Sequence, residues 1–205
     1  MKKFICAIVS LVVSLSAVAQ LKNATGNDAI EKVRVANEKV SSIKSKFTQT
    51  KKMAFIEQAS TSDGDFAYTK DSKLAMIYTN GEVVVVNGGD VTLGKKNKTR
   101  NLRRTNKHVE GLVNTLFSAV SGNLSNLDGT LEKTDKSNGA IVFTVAVEFT
   151  VGKSKVSKLE LKYNASDCII NTIKMIESDG SYTLYELSSK KINEKIDDSV
   201  YVVKK

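Results

Sequence analysis

The segment from residue 40 to residue 78 constrains the fold of this chain most strongly, because its apolar spacing changes from helical to alternating. The spacing predicts an amphipathic helix that begins at a cap formed by Asn27 or Asp28 and continues to Lys46, with a strand from Phe47 onwards. Two further strands with polar turns follow. A helix that runs directly into antiparallel strands must bury its apolar stripe against them. The segment therefore predicts a helix laid against an antiparallel sheet.

The rest of the chain continues this series of short strands and adds one helix in the middle. The second helix is predicted over about residues 105–120, with Gly122 as its C-terminal stop. The apolar runs and turn residues predict strands at 47–56, 65–69, 73–79, 83–87, 90–94, 129–133, 140–151, 158–163, 168–177, 182–188 and 199–203. Because strands and helices do not alternate, a doubly wound fold is excluded. The prediction is an α+β, mainly β fold: a curled antiparallel sheet of about ten or eleven strands with two helices on its concave side.

Three apolar runs in the predicted strands do not alternate with polar residues. They lie at residues 83–86, 141–143 and 168–170. Such runs are buried on both faces of a sheet, or they are packed on one face and border a cavity on the other. Periodicity leaves both alternatives open.

The first 19 residues have the pattern of a cleavable secretory leader. Lys2 and Lys3 precede an apolar run, and the small residues Ala17 and Ala19 frame a cleavage site. Removal of the two lysines lowers the formal net charge from +9 to +7 (9 − 2 = 7). The expectation is an exported, periplasmic protein whose residues 20–205 form a single domain. Cys168 is then the one remaining cysteine, and we expect it to be a buried apolar residue that forms no intramolecular disulfide.

The sequence offers little for catalysis. His108 is the single histidine, and its position in the first turn of the predicted second helix favours a solvent-facing side chain without an orienting partner. No spacing of His, Cys or carboxylates suggests a metal site, and no motif indicates a cofactor. We therefore expect a protein that is not an enzyme. The alternative of a lipid or glycan hydrolase depends on His108.

The strongest charge feature is a basic run between residues 95 and 107, predicted as a connecting loop. Its members are Lys95, Lys96, Lys98, Arg100, Arg103, Arg104 and Lys107. Nucleic acid is not the expected partner, because the predicted leader exports the chain and the run lacks the aromatic residues on which bases stack. Two alternatives remain: a solvated loop without a partner, or a surface for lipid head groups or an acidic protein.

The segment at residues 40–50 reads Val-Ser-Ser-Ile-Lys-Ser-Lys-Phe-Thr-Gln-Thr. It resembles the helix-to-strand entry of the periplasmic outer-membrane lipoprotein carrier family, the LolA-like proteins, which has a Ser-Phe-x-Gln-type sequence. In that family a Gly-x-Phe/Leu strand follows, then a basic residue before Pro, then an apolar or aromatic residue alternating with Trp. These positions fall without a gap on Gly64, Phe66, Lys70, Asp71, Leu74 and Met76.

The resemblance implies an unclosed β-barrel whose helices form a lid over a hydrophobic cavity. It further implies a monomeric carrier, without catalysis, that takes lipoprotein acyl chains from an inner-membrane transporter to an outer-membrane acceptor. The motif places Phe47, Phe66, Leu74 and Met76 in the cavity. The helical spacing of Leu112, Leu116 and Phe117 adds lid residues to that set.

The chain departs from the family pattern at the residue expected to hold the lid. The family's Arg is Lys70 here, and an ammonium group lacks the planar fork of donors of a guanidinium. Asp71 replaces the Pro, and Met76 replaces the Trp.

Overall fold

The computed structural model describes residues 24–70, 72–95 and 98–203, so the predicted leader, Asp71 and Lys96 lie outside the described residues. The two α-helices are α1 (Ala24–Glu38) and α2 (Glu110–Ser121). Short 3-10 helices occur at Leu124–Asn126 and Asp198–Tyr201. The strands are β1 (Ser42–Lys52), β2 (Ser60–Thr69), β3 (Lys73–Tyr78), β4 (Glu82–Asn87), β5 (Asp90–Lys95), β6 (Lys98–Arg103), β7 (Gly129–Ser137), β8 (Ala140–Val151), β9 (Ser154–Asn164), β10 (Ile170–Glu177) and β11 (Tyr182–Ile192).

All eleven strands form one antiparallel sheet in the order β6-β5-β4-β3-β2-β1-β11-β10-β9-β8-β7. The edge strands β6 and β7 do not pair with each other over the described part of the chain, so the curled sheet stays open between them. The predicted α+β, mainly β, unclosed barrel is confirmed. The connection from β6 to β7 contains α2, which packs on β8 and β10 and touches α1.

Helix α2 packs closely against its neighbours at two glycines. Gly122 ends the helix with a φ of 69°, and a Cβ there would lie 2.9 Å from the carbonyl oxygen of Val33 on α1. A Cβ on Gly111, in the first turn, would lie 2.3 Å from Cδ2 of Phe149 on β8. A larger residue at either position would push α2 away from its seat. The predicted stop at Gly122 is confirmed, because only glycine adopts this backbone conformation without cost.

The predicted boundary between the first helix and the first strand was wrong by several residues. Helix α1 ends at Glu38, and Val40 already lies in a turn in which its N–H donates to the carbonyl of Asn37 at 3.0 Å. The backbone pairs with β2 from Ser42 and with β11 from Ile43. This pairing outweighs the helical spacing of the local apolar residues. The polar residues Ser45 and Gln49 occupy buried positions of β1 and hide its alternation in the sequence.

The basic segment 95–107 is not a single loop. Its first part is the β5–β6 hairpin, in which Lys95 pairs with Lys98, and turns connect β6 to α2. The basic side chains of β6 made this strand look like a loop in the sequence. An edge strand needs apolar contacts on one face only, and Leu102, which pairs with Val91, supplies them. Helix α2 begins at Glu110 and not near residue 105, because the residues between β6 and α2 form turns.

The C-terminal segment packs on the convex face of the sheet. The strand predicted at 199–203 is wrong: Asp197 accepts a hydrogen bond from the N–H of Ser199 at 2.8 Å and caps a 3-10 helix instead. Tyr201 is buried against Ala67, Ala75 and Val85 of β2, β3 and β4. Its hydroxyl lies 2.8 Å from that of Thr69.

This cover explains the apolar run of β4. Val85 is buried on the convex side under the C-terminal segment, while Val86 is buried in the main core. The sheet is therefore buried on both faces along this strand, the first of the two sequence alternatives.

Candidate functional site

The seven residues predicted to face the interior lie in one continuous apolar core on the concave side of the sheet. They are Phe47, Phe66, Leu74, Met76, Leu112, Leu116 and Phe117. None is more than 8% exposed. The three α2 residues thus fill the concave side between the two halves of the sheet. In this arrangement the interior of the open barrel is occupied by its own side chains.

Aromatic rings form much of the contact between the sheet and the interior. Phe47 meets Tyr78 edge-on with 4.9 Å between ring centroids, and Phe117 of α2 meets Tyr68 of β2 at 5.9 Å. Gly64 lies opposite Phe47 in the β1–β2 pairing, and a Cβ there would lie 2.6 Å from Cε1 of the ring. The glycine of the motif therefore makes room for the phenylalanine of the motif.

Sequence reasoning missed two polar groups in this interior. Gln49 of β1 donates from Nε2 to the hydroxyl of Tyr185 on β11 at 2.8 Å, and both residues are buried. Tyr163 of β9 is fully buried and donates its hydroxyl to the main-chain carbonyl of Ala119 at 2.7 Å. That carbonyl belongs to the last turn of α2, which has no partner within the helix. No local signal in the sequence indicates either contact, because the partners lie on distant strands.

We predict that this chain loses stability above pH 10. Burial raises the pKa of Tyr78, Tyr163 and Tyr185 above the ordinary value of 10.0. Above pH 10 the unfolded chain releases protons that the folded chain retains, so the stabilisation present at lower pH is lost at about 1.4 kcal/mol per pH unit for each tyrosine. Urea unfolding across this pH range measures the slope, and Tyr163→Phe should reduce it by one tyrosine's share. Tyrosinate absorbance from all three groups in the folded protein near pH 10 would contradict the prediction.

The side chain of Lys70 forms a hydrogen bond with helix α1. Its Nζ donates to the main-chain carbonyl of Glu38, the last residue of α1, at 2.8 Å. A cation at a helix C-terminus is favourable, but the side chain is exposed and the contact is a single hydrogen bond. The residue that matches the family's basic position therefore fastens the N-terminal helix.

We predict a small effect when this contact is removed. Lys70→Ala should lower the free energy of unfolding by less than about 1 kcal/mol, the usual size of an exposed charge-assisted contact. Lys70→Arg should restore or exceed the original value, because a guanidinium offers more donors to the same carbonyl. Chemical denaturation of the three proteins tests this, and a loss of several kcal/mol in Lys70→Ala would contradict it.

The basic residues divide between two places. Lys95, Lys98, Arg100 and Arg103 are exposed on the β5–β6 hairpin, and Arg103 pairs with Asp90 at 2.9 Å. Arg104 instead turns towards α2, where its guanidinium lies 4.4 Å from the centroid of the Phe117 ring.

Among the openings formed by the described residues, three lie around the filled interior. A groove of about 590 Å³ lies between α1 and α2 and is lined mostly by polar residues, including Arg34, Asn37 and Lys70. A second, of about 600 Å³, lies at the start of α2 beside His108, which is exposed in the turn before the helix. The third, of about 290 Å³, lies at the end of β1, β9, β10 and β11, and we call it the mouth. It reaches three residues of the main core, namely Val156, Met175 and Tyr185.

Within residues 24–70, 72–95 and 98–203, no group of His, Cys, Asp or Glu is arranged to hold a metal ion. Neither described helix has the length and apolar character needed to cross a membrane. Cys168 is buried, as predicted, and its carbonyl accepts a hydrogen bond from Asn37 of α1 at 2.8 Å.

The open sheet, the apolar concave wall and the helix seated on it define the class of unclosed, helix-covered antiparallel barrels. Within that class, the family model described as outer membrane lipoprotein carrier protein LolA matches residues 38–204, and the chain belongs to this family. This confirms the resemblance found in the motif.

One solved structure shows the same fold at low sequence identity, and two others are reported with lower similarity. An uncharacterized conserved protein from Thermus thermophilus has a TM-score of 0.54 and 9% identity, over 88% of this chain and 95% of that one. A LolA superfamily protein from Nitrosomonas europaea has a TM-score of 0.48 and 9% identity, over 86% and 96%. A putative outer membrane lipoprotein-sorting protein domain from Vibrio parahaemolyticus has a TM-score of 0.48 and 11% identity, over 87% and 97%. A comparison with curated protein sequences finds no match.

Proposed function

We propose that this protein is a periplasmic carrier that shields the acyl chains of lipoproteins, or of related lipids, and moves them from the inner to the outer membrane. The observation that carries the proposal is the apolar concave wall under a single short helix in a member of the lipoprotein carrier family. Acyl chains would enter when α2 swings away from the sheet. In the loaded state the same apolar face of α2 would cover the chain.

Approximate energies for the two sides of this exchange are of similar size. Moving α2 exposes five large apolar side chains, Leu112, Val113, Leu116, Phe117 and Val120, at about 1.5–3 kcal/mol each, or roughly 8–15 kcal/mol together. An acyl chain that buries a dozen methylenes gains about 10 kcal/mol relative to water. A chain that starts in a bilayer gains far less, because both environments are apolar. Direction must then come from partners, which fits a transporter that releases lipoproteins from the inner membrane and an acceptor in the outer membrane.

Native mass spectrometry of protein purified from the cell envelope tests the proposal. We expect adducts with the masses of acylated peptides or lipids, which dissociate on denaturation. The second arm measures release: added protein should transfer radiolabelled lipoprotein from inner-membrane vesicles into the supernatant. No acyl adduct and no release activity together would refute carriage.

The filled interior and the exposed basic hairpin support a second candidate. In that case the protein is an envelope interaction module that binds an anionic partner through the basic segment 95–107 and carries nothing. Charge reversal at Lys98 and Arg100 discriminates, because both side chains are exposed, whereas Arg104 packs on α2 and would confound the test. Loss of partner binding with no acyl adduct in the wild-type protein favours the module. Unchanged partner binding excludes it.

A further inference from the structure

The loop between β1 and β2, residues 53–59, projects large apolar side chains into solvent. Phe55 is 92% exposed, Met53 58% and Ile56 49%. Folded proteins rarely present several neighbouring large apolar side chains to water without using them in an interaction. We call residues 53–56 the tip of this loop. The sequence analysis predicted a strand through residue 56 and therefore did not identify the tip.

The tip is fastened at its base and does not fold back on the barrel. The N–H of Ala54 donates to the hydroxyl of Ser181 at 3.0 Å, in the turn before β11. The N–H of Ile56 donates to the carbonyl of Met53 at 3.2 Å. The ammonium of Lys52 donates to the carbonyls of Ile56 and Glu57. These bonds hold the apolar side chains outward on a short, closed turn.

The tip lies beside the mouth. Met53 lines both, and the mouth continues inward to Met175 and Tyr185 of the main core. Whatever covers the tip therefore also covers an entrance to the apolar interior.

The charges around the tip fit an anionic surface. Lys51 is exposed next to the tip, and in an antiparallel sheet the β5–β6 and β8–β9 turns lie at the same end as the β1–β2 loop. Those turns add the exposed Lys95, Lys98 and Lys153. Glu57, Glu82, Glu148 and Asp179 lie at this end as well, but the chain without its predicted leader keeps a formal net charge of +7 (9 − 2 = 7). An apolar tip with an adjacent lysine, and with further lysines at the same end of the sheet, is the pattern of a segment that enters the interface of an anionic bilayer.

We propose that the β1–β2 loop inserts into the head-group region of an anionic bilayer and places the mouth against the membrane. The membrane contact is independent of cargo. Its purpose rests on the proposed function, since an acyl chain would then pass between bilayer and barrel without crossing water.

The absence of tryptophan from the chain gives a direct test. Phe55→Trp introduces a single reporter at the tip, at a position too exposed to affect folding. Val202→Trp, 58% exposed on the C-terminal segment, is the matched control. The probes are vesicles of phosphatidylcholine alone and vesicles with added phosphatidylglycerol. With the anionic vesicles, the Phe55→Trp emission should shift to the blue and be quenched by lipids brominated near the head group, and the Val202→Trp emission should not change.

Charge and apolar variants complete the test. Lys51→Glu should weaken binding to anionic vesicles about tenfold or more. Replacing Phe55 and Ile56 together with Ser should abolish flotation with those vesicles. An unchanged Phe55→Trp emission, equal binding to neutral vesicles, or an equal response of Val202→Trp would overturn the proposal. Acyl adducts without vesicle binding refute docking alone, whereas vesicle binding without adducts or release activity refutes carriage alone.

Discussion

Replacement of Leu116 with glutamate is expected to abolish acyl loading. Leu116 is 1% exposed in the middle of α2 and faces the concave wall. A carboxylate at this position has no partner and costs several kcal/mol to bury, whether the helix covers the sheet or an acyl chain. Native mass spectrometry of the variant should therefore show no acyl adduct.

Two controls separate polarity from loss of fold. Leu116→Ala should cost about 2–5 kcal/mol of unfolding free energy but keep loading, because the face stays apolar. Asn114→Glu changes the same helix on a half-buried position that lines the polar grooves, and it should load normally. Loading by Leu116→Glu equal to that of the unchanged protein would show that α2 does not cover the cargo.

Phe47→Ala is expected to cause the largest loss of stability, about 3–5 kcal/mol. The ring is 1% exposed, contacts Tyr78 and covers Gly64, so its removal leaves a cavity that the backbone cannot fill. An acyl chain in the interior would occupy part of this space. The loss should therefore be smaller in the loaded protein than in the empty protein.

Urea unfolding of both forms measures this difference. Thr48→Ala, at the neighbouring position on the opposite face of β1, is the control and should change stability by less than about 1.5 kcal/mol, because it loses only a hydrogen bond to Asp63. An equal loss for Phe47→Ala in the loaded and empty forms would place the cargo elsewhere.

The sequence predicted the central strands of the sheet more accurately than the edge strand β6, the element boundaries and the C-terminal segment. Apolar alternation and turn residues located nearly every strand, because burial of one face imposes a period that local sequence records. The four motif positions and the three α2 positions assigned to the interior are all buried in the main core.

The errors arose where tertiary contacts decide the structure. Ile43 fits both helical and strand spacing, and pairing of β1 with β11, which is distant in sequence, selects the strand. The basic residues of β6 fit a loop, and Leu102 alone contributes to its apolar face. Tyr201 becomes buried because it covers Ala75 of β3, a contact that no local pattern contains.

The sequence predicted which residues face the interior, but not that their side chains fill it. The motif named the inward-facing residues, whereas the contact of Tyr163 with α2 and the exposed tip at Phe55 depend on how distant segments meet. The filled concave side is likewise a property of helix seating. Two glycines permit that seating, and only the three-dimensional neighbours of Gly111 and Gly122 reveal their role.

Site-specific photo-crosslinking on β3 tests the central claim most directly. Met76 lies 2% exposed in the main core, and Ile77, the next residue, is 37% exposed on the opposite face. A photoreactive amino acid at position 76 should form a covalent adduct with the lipoprotein acyl chain after loading, and the same group at position 77 should not. Adducts at 77 alone, or at neither position in protein that carries acyl material, would contradict storage of the chain beneath α2.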